Sequence, residues 1–345
     1  MARFRNDYTE QFKTLTLRKA INLGRLFVSF HLSNLFKRPI VWGMPFSISV
    51  EPTTACNLGC PECPSGLKSF SRPTGRLKAE TLESILDELA PTLGNLIFYF
   101  QGEPYLHPQF TDLVKMAHQR RIYTVTSTNA HFLSPENARK TVESGLSRLI
   151  ISIDGTSQDT YSNYRINGQL EKVIEGAKNI VAARKALHSR TPHLIFQFLV
   201  VRQNEHQIDE VHRLADEIGV DEVRLKTAQV YDYANGHPLL PKNPKYSRYA
   251  QQANGKWALK NKLLNRCWRM WQGCVFTWDG KVVPCCFDKD AQHQLGSIES
   301  SSFKRIWRSE AYTRFRASVI SSRSSIDICT NCTEGTKVVV SAAVD

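Results

Sequence analysis

Between residues 46 and about 230, short apolar runs rich in β-formers alternate with stripes at helical spacing. The runs are 46–52, 96–100, 123–128, 149–153, 194–201 and 222–227. Leu82, Ile85, Leu86 and Leu89 form the first stripe, stopped by Pro91. Val173, Ile174, Ala177, Ile180 and Val181 form another, and Ile208, Val211, Leu214 and Ile218 form the last, ending at Gly219. Ser134-Pro135 reads as an N-cap followed by proline at the first helical position, with Gly145 as a C-terminal stop. Strands that are apolar almost throughout are buried on both faces. Six such βα units therefore predict a parallel sheet covered by helices. Right-handed crossovers either curl it into a partial barrel or leave it an open doubly wound sheet, and the pattern alone does not choose.

Three further segments flank this core. Residues 1–45 carry Leu17, Ile21, Phe27, Val28, Leu32, Leu35 and Phe36 among Arg18, Lys19, Arg25, Lys37 and Arg38. They predict one or two basic amphipathic helices, packed on the main domain or lying in a membrane interface through residues 15–38. Arg25 and His31 interrupt a stretch too short to span a bilayer. Residues 231–265, rich in Pro, Asn, Lys and Tyr, read as a linker that makes a surface excursion or a lid. In residues 266–345, Val275 to Val283 reads as a β-hairpin with Asp279-Gly280 at a type I′ turn.

The 345-residue length accommodates one large or two ordinary domains, and 41% hydrophobic content excludes a disordered chain. Nine cysteines with no secretory signal pattern indicate a reducing, cytoplasmic setting and metal binding rather than disulfides. Net charge of +13 favours anionic partners without choosing among them. No nucleic-acid-binding motif accompanies it, so no nucleic acid partner is expected.

The chemistry concentrates after the first strand, where Cys56, Cys60 and Cys63 are spaced C-x3-C-x2-C. Three thiolates on one loop hold three corners of a cubane and leave one iron open, whereas a structural zinc site needs four ligands. This loop, with its Glu51-Pro52-Thr53 lead-in, resembles the radical S-adenosylmethionine (AdoMet) superfamily. The resemblance implies a six-stranded partial (β/α)6 TIM-like barrel and a 4Fe–4S cluster whose open iron chelates AdoMet. It also implies reductive cleavage to a 5′-deoxyadenosyl radical, with an electron donor such as flavodoxin or ferredoxin. Glu62 departs from the family pattern, in which the residue before the third cysteine is aromatic or apolar and lies near the adenine.

The same resemblance orders the other strand ends. Gln101-Gly102-Glu103-Pro104 looks like the family's Gly-Gly-Glu-Pro motif, implied to hold the methionyl amino group, with Gln101 replacing its first glycine. Ser127, Thr128 and Asn129 are polar groups suited to a ribose or substrate hydroxyl. Ser152 and Arg165 match the family's carboxylate-binding pair. Asp154 touches ribose or substrate, or caps the next helix.

Six cysteines remain: Cys267, Cys274, Cys285, Cys286, Cys329 and Cys332. Cys329-x2-Cys332 is a metal-ligand pair that needs two partners, and Cys267 and Cys285 bracket the hairpin. The region resembles the SPASM extension or its shortened twitch form, through Gly280-x4-Cys285, Leu295-Gly-x-Ile298, a helix with Phe303 and Trp307, and the closing pair. It implies a small hairpin-plus-helix domain holding one auxiliary 4Fe–4S cluster on Cys267, Cys285, Cys329 and Cys332. Cys274 and Cys286 are left over, and zinc is the competing metal.

The expected function is hydrogen abstraction from a small molecule, sugar-like, aminocyclitol-like or lipid-linked, as a net oxidation that passes an electron to the auxiliary cluster. Peptide or protein maturation is the alternative; members that modify peptides often carry an N-terminal recognition domain, and residues 1–45 are short for one. A non-catalytic iron–sulfur carrier or redox sensor is the reading from another class. The expected location is cytoplasmic, with peripheral contact at the inner face of the membrane.

Overall fold

The computed structural model describes residues 2–260 and 262–334. Six parallel strands form the expected partial barrel in sequence order: β1 (Ser47–Val50), β2 (Asn95–Ile97), β3 (Tyr123–Thr128), β4 (Arg148–Ser152), β5 (His193–Val200) and β6 (Glu222–Thr227). The helices over it run Ala79–Leu89, Phe110–Gln119, Pro135–Glu143, Leu170–Ala186 and Ile208–Ile218. Their apolar stripes form one core with the outward faces of the strands; Leu82, Ile85, Leu86 and Leu89 are buried in it. Ser134 caps its helix by accepting from the Asn137 amide at 3.2 Å, and Gly145 follows in the left-handed region.

The architecture differs from expectation at four places. The second strand stops at Ile97 rather than running to Phe100. Five long helices, one in each connection, join the six strands, and β6 leads not into a sixth but into 228–260. That segment holds a two-stranded hairpin, β7 (Tyr249–Gln251) with β8 (Trp257–Leu259), and packs Leu239, Leu240 and Tyr249 against Leu58, Cys60 and Tyr164. It is thus a folded cover over the cysteine loop. Third, the C-terminal hairpin does not form a sheet of its own. Its first strand, β9 (Gly273–Phe276), pairs parallel with β1 from Ser47↔Gly273 to Val50↔Phe276. Strands β10 (Lys281–Val283) and β11 (Gly296–Ser297) extend the sheet to nine strands. Fourth, the turn is not type I′. Only Gly280 has positive φ (+74°), its amide donates to the Thr277 carbonyl at 3.0 Å, and Thr277 donates to Lys281. A turn closed by a left-handed glycine is the longer hairpin solution.

Helices α1 (Ala2–Thr14) and α2 (Leu17–Phe36) close the N-terminal end of the barrel. Asp7 accepts from Tyr123 and pairs with Arg148, while Gln11 reaches Asn95 at 3.3 Å; these partners open β3, β4 and β2. Helix α2 docks through Lys19, Asn22, Leu26, Ser29 and Ser33. Asn22 donates to the Met44 carbonyl at 2.8 Å and accepts from the Met44 amide at 2.9 Å. Much of the apolar stripe of α2 faces solvent: Leu17 is 78% and Leu35 71% exposed, with Ile21, Phe27, Val28 and Phe36 also exposed. No helix of the described residues is long and apolar enough to cross a membrane.

Candidate active site

An open cavity of about 1100 Å³ lies at the C-terminal ends of the strands. Cys56, Cys60 and Cys63 line one wall, in the loop that follows β1. The loop is held from several sides. Gly59 donates to the Ile166 carbonyl at 2.9 Å, and the Asn57 side chain accepts from Asn129 at 2.7 Å. The guanidinium of Arg165 stands 3.7 Å from the Cys60 sulfur. Burial, with Glu103 and the two other thiols, pushes Cys56 up to about 11, and burial also raises Cys60. Thiolates this close together repel one another, and a positive centre such as an iron cluster supplies the charge that lets them ionise together.

Of the expected AdoMet residues, Gly102, Glu103, Asn129, Ser152 and Arg165 line the same cavity, and Gln101, Pro104 and Asp154 do not. Gly102 has φ +75°, and a Cβ there would lie 2.2 Å from the Thr53 carbonyl oxygen, so only glycine lets the β2 end approach the cysteine loop. Its amide donates to Ser65 at 2.8 Å. Glu103 is buried, and its carboxylate accepts from Thr128 (2.7 Å), the Asn129 amide (2.7 Å) and the Tyr105 amide (3.2 Å). Burial raises its pKa to about 7 against those bonds. The carboxylate therefore first ties the end of β2 to β3; the carbonyls of Glu103 and Pro104 accept from the Leu106 and His107 amides, which leaves those of Gln101 and Gly102 as the other acceptors at this strand end. Gln101 is buried, and Pro104 begins a short turn of helix.

Asn129 and Ser152 line the cavity beside Arg165. Asp154 does not. It is buried, accepting from the Leu199 amide at 2.7 Å and from Arg165 Nε at 2.5 Å. Burial opposes the charge of Arg165, but Asp154 and Cys60 hold its pKa well above the usual range. Asp154 thus orients the guanidinium and leaves its other nitrogens for a carboxylate. Glu62 accepts from the Tyr231 amide at 3.0 Å and lies 3.4 Å from His237, so it fastens the 228–260 cover to the loop.

A second, enclosed cavity of about 340 Å³ is lined by Cys267, Cys285, Cys329 and Cys332, with Met270, Phe315 and Val319 among its apolar walls. Arg323, itself buried, donates to the Cys332 sulfur at 3.3 Å. Four thiols around one dry space beside a guanidinium fit a fully ligated cluster. Cys274 and Cys286 do not line it; with Cys285 they border a neighbouring space beside Ser47 and Arg269. Among the described residues, no three Cys, His, Asp or Glu side chains converge on a single-ion position. Both cysteine sets stand around a volume, as ligands to separate irons of one cluster do.

Several residues with evident roles carried no motif. Asn204 is fully buried and bridges strand ends, donating to the carbonyls of Asp154 (2.9 Å) and Leu199 (2.8 Å) and accepting from the Val201 amide (2.8 Å). Arg72 and Glu51 form a buried ion pair that ties the loop to the C-terminal hairpin through the Trp278 amide. Lys226 and Arg248 line the cavity. The signal for Lys226 was alternation: Glu222, Arg224 and Lys226 put polar groups on one face of a strand otherwise read as buried.

Comparison with known proteins agrees with this geometry. The family model for the radical SAM superfamily matches residues 50–215, and that for SPASM, an iron–sulfur cluster-binding domain, matches 267–333. An AdoMet-dependent heme synthase of Methanosarcina barkeri is 28% identical over 176 residues, 51% of this chain and 48% of its own length. The chain thus spans about half of that relative. A PqqA peptide cyclase of Bradyrhizobium diazoefficiens is 26% identical over 302 residues, covering 80% of this chain and 76% of the relative. Among solved structures, BtrN in complex with AdoMet and 2-DOIA superposes with a TM-score of 0.53 at 21% identity, covering 86% of this chain and 95% of that one.

Proposed function

Since the chain belongs to the radical SAM superfamily and carries a SPASM iron–sulfur domain, we propose that this enzyme abstracts hydrogen from a small molecule held in the open cavity, in a net oxidation. A 4Fe–4S cluster with bound AdoMet supplies, on reduction, the 5′-deoxyadenosyl radical for that step. The observation that carries the reading is one cavity wall shared by Cys56, Cys60, Cys63, Ser152 and Arg165. Cys56, Cys60 and Cys63 would hold the cluster. Arg165, aligned by Asp154, would clamp the methionyl carboxylate, and the carbonyls of Gln101 and Gly102 would accept its ammonium group. Cys267, Cys285, Cys329 and Cys332 would hold the auxiliary cluster that takes the substrate's electron.

The position of α1 and α2 supports a small substrate: they close the far end of the barrel and offer no recognition element at the mouth. Peptide maturation is the second reading, favoured by the similarity to a peptide cyclase over 80% of the chain. The test is anaerobic reconstitution, iron counting, and assay of 5′-deoxyadenosine after dithionite and AdoMet. About eight irons per chain are expected, with product abolished in the Cys56→Ala/Cys60→Ala/Cys63→Ala variant. Iron loading without AdoMet binding would overturn the reading in favour of an electron carrier.

The solvent-facing Leu17, Ile21, Phe27, Val28 and Leu35, with Arg18, Arg25, Lys37 and Arg38 and no carboxylate from residue 11 to 50, support peripheral contact with an anionic membrane. This face lies away from the mouth, so it serves location rather than delivery of a lipid-linked substrate. Equal recovery of full-length and 1–40-deleted protein in the supernatant of a liposome pelleting assay would refute it.

A further inference from the structure

The lining of the cavity is unusually cationic. Arg165, Lys226, Arg248 and Lys289 line the cavity, against two carboxylates, Glu62 and Glu103. Most of these charges are already committed. Arg165 is paired with Asp154. Lys289 donates to the Tyr231 hydroxyl at 2.7 Å. Glu62 and Glu103 accept from the groups described above.

Two of the four have no side-chain partner among the described residues, Lys226 and Arg248, and they are neighbours. Lys226 is open to the cavity yet enclosed by protein; burial lowers the pKa of its ammonium group, Arg248 and Arg269 add to the effect, and Cys286 and Asp154 oppose it. It makes no hydrogen bond or ion pair with another described residue. Arg248 is only 6% exposed. One nitrogen, Nη2, donates to the carbonyl of Thr227, the residue after Lys226, at 3.1 Å. Its Nε and Nη1 are buried with no partner. A buried guanidinium with unmet donors beside a second cation is costly unless an anion completes it.

We propose that Lys226 and Arg248 form a subsite for an anionic group of the substrate, a carboxylate or a phosphate. This rests on the reading of the cavity as the substrate site and adds a substrate class to it. Arg248 gives a directional donor and Lys226 a point charge, a pair suited to an oxyanion. Lys226 stands on β6 and Ser152 on β4, with β5 between them, and saturating the enzyme with AdoMet before the titration assigns any bound anion to the substrate rather than to the methionyl carboxylate.

The test is isothermal titration calorimetry of the reconstituted, AdoMet-saturated enzyme with inorganic phosphate and, separately, acetate. One of the two should bind, weakened roughly tenfold or more in Lys226→Gln, as loss of a charge-assisted bond predicts. Lys226→Arg should retain binding, and Lys115→Gln, a lysine outside the cavity, should not alter it. Preference for phosphate would indicate a phosphorylated substrate, and preference for acetate a carboxylic acid. Failure of both anions to bind would overturn the proposal, as would equal binding by Lys226→Gln or displacement of the anion by AdoMet. Because the readout is binding, it stands apart from deoxyadenosine formation: a failed subsite leaves that assay positive, and a failed radical reading leaves anion binding measurable.

Discussion

Gly102→Ala should damage the enzyme out of proportion to the size of the change. Gly102 and Gly255 have nearly the same left-handed φ, +75° and +78°. At Gly255 a Cβ meets nothing within 4 Å. Alanine there incurs left-handed strain of about 1–2 kcal/mol, partly offset by about 0.4–1 kcal/mol from a stiffer unfolded chain. The net loss should be about 1 kcal/mol. At Gly102 the Cβ would lie 2.2 Å from the Thr53 carbonyl oxygen and 2.8 Å from that of Ala55. Both are backbone atoms just before Cys56, so no side chain can swing aside. Overpacking of this kind adds about 1–3 kcal/mol, giving a loss of about 2–4 kcal/mol. Relief requires the cysteine loop to shift, so iron bound by Cys56, Cys60 and Cys63 should fall with stability. Anaerobic urea unfolding and iron analysis of the two variants side by side measure both effects. Equal destabilisation of Gly102→Ala and Gly255→Ala, or full iron loading in the former, would refute the reasoning.

Glu103 titrates near 7 in the fold against a reference of 4.5, so its contribution to stability is complete below 4.5 and is lost as pH rises through 7. The 2.5-unit difference corresponds to about 3 kcal/mol in total, of which about 1 kcal/mol falls between pH 6 and 8. Unfolding of AdoMet-free protein at these two pH values should show that slope, and Glu103→Gln should flatten it. Asn204→Ala should cost about 3 kcal/mol in urea unfolding, because three buried backbone groups lose their partner at once. Arg323→Gln removes the guanidinium beside Cys332 and should lower iron loading toward about four per chain; unchanged loading would argue against that role.

Much of this was legible in the sequence because the signals were local. The helical stripes, the Ser134-Pro135 start and the Cys56, Cys60, Cys63 spacing each lie within one turn or loop, and the structure keeps them. What was not legible depends on long-range pairing. Nothing near Gly273 announces that its strand will join β1, more than 200 residues earlier. The inward face of α2 was not legible for a related reason. Lys19 and Asn22 are buried since they meet backbone carbonyls of Arg121 and Met44, partners that a polarity pattern does not reveal. Asp154 illustrates the limit at the site itself: the sequence left it to touch ribose or substrate or to cap the next helix, whereas the Leu199 amide and Arg165 hold it inside.

The continuous sheet has a consequence for how the two cysteine sets are spaced. The three-cysteine loop follows the C-terminal end of β1, at Val50. Strand β9 runs parallel to β1, and β10 returns antiparallel, so Cys285 emerges beside Ser47 and Gly273, at the opposite end of the strands. Two strand spacings of about 4.8 Å and a four-residue rise of about 13 Å separate the two points along the sheet. Backbone register sets that separation, and no flexible linker enters it. The segment after β6, read from sequence as a linker making a surface excursion or a lid, packs over the cysteine loop and binds its Glu62 through the Tyr231 amide. On the proposed function, an electron leaving a substrate in the cavity would have an acceptor site whose position is fixed by the same strands that position the cysteine loop. That arrangement favours a single oxidation geometry over a domain motion that brings the two sites together.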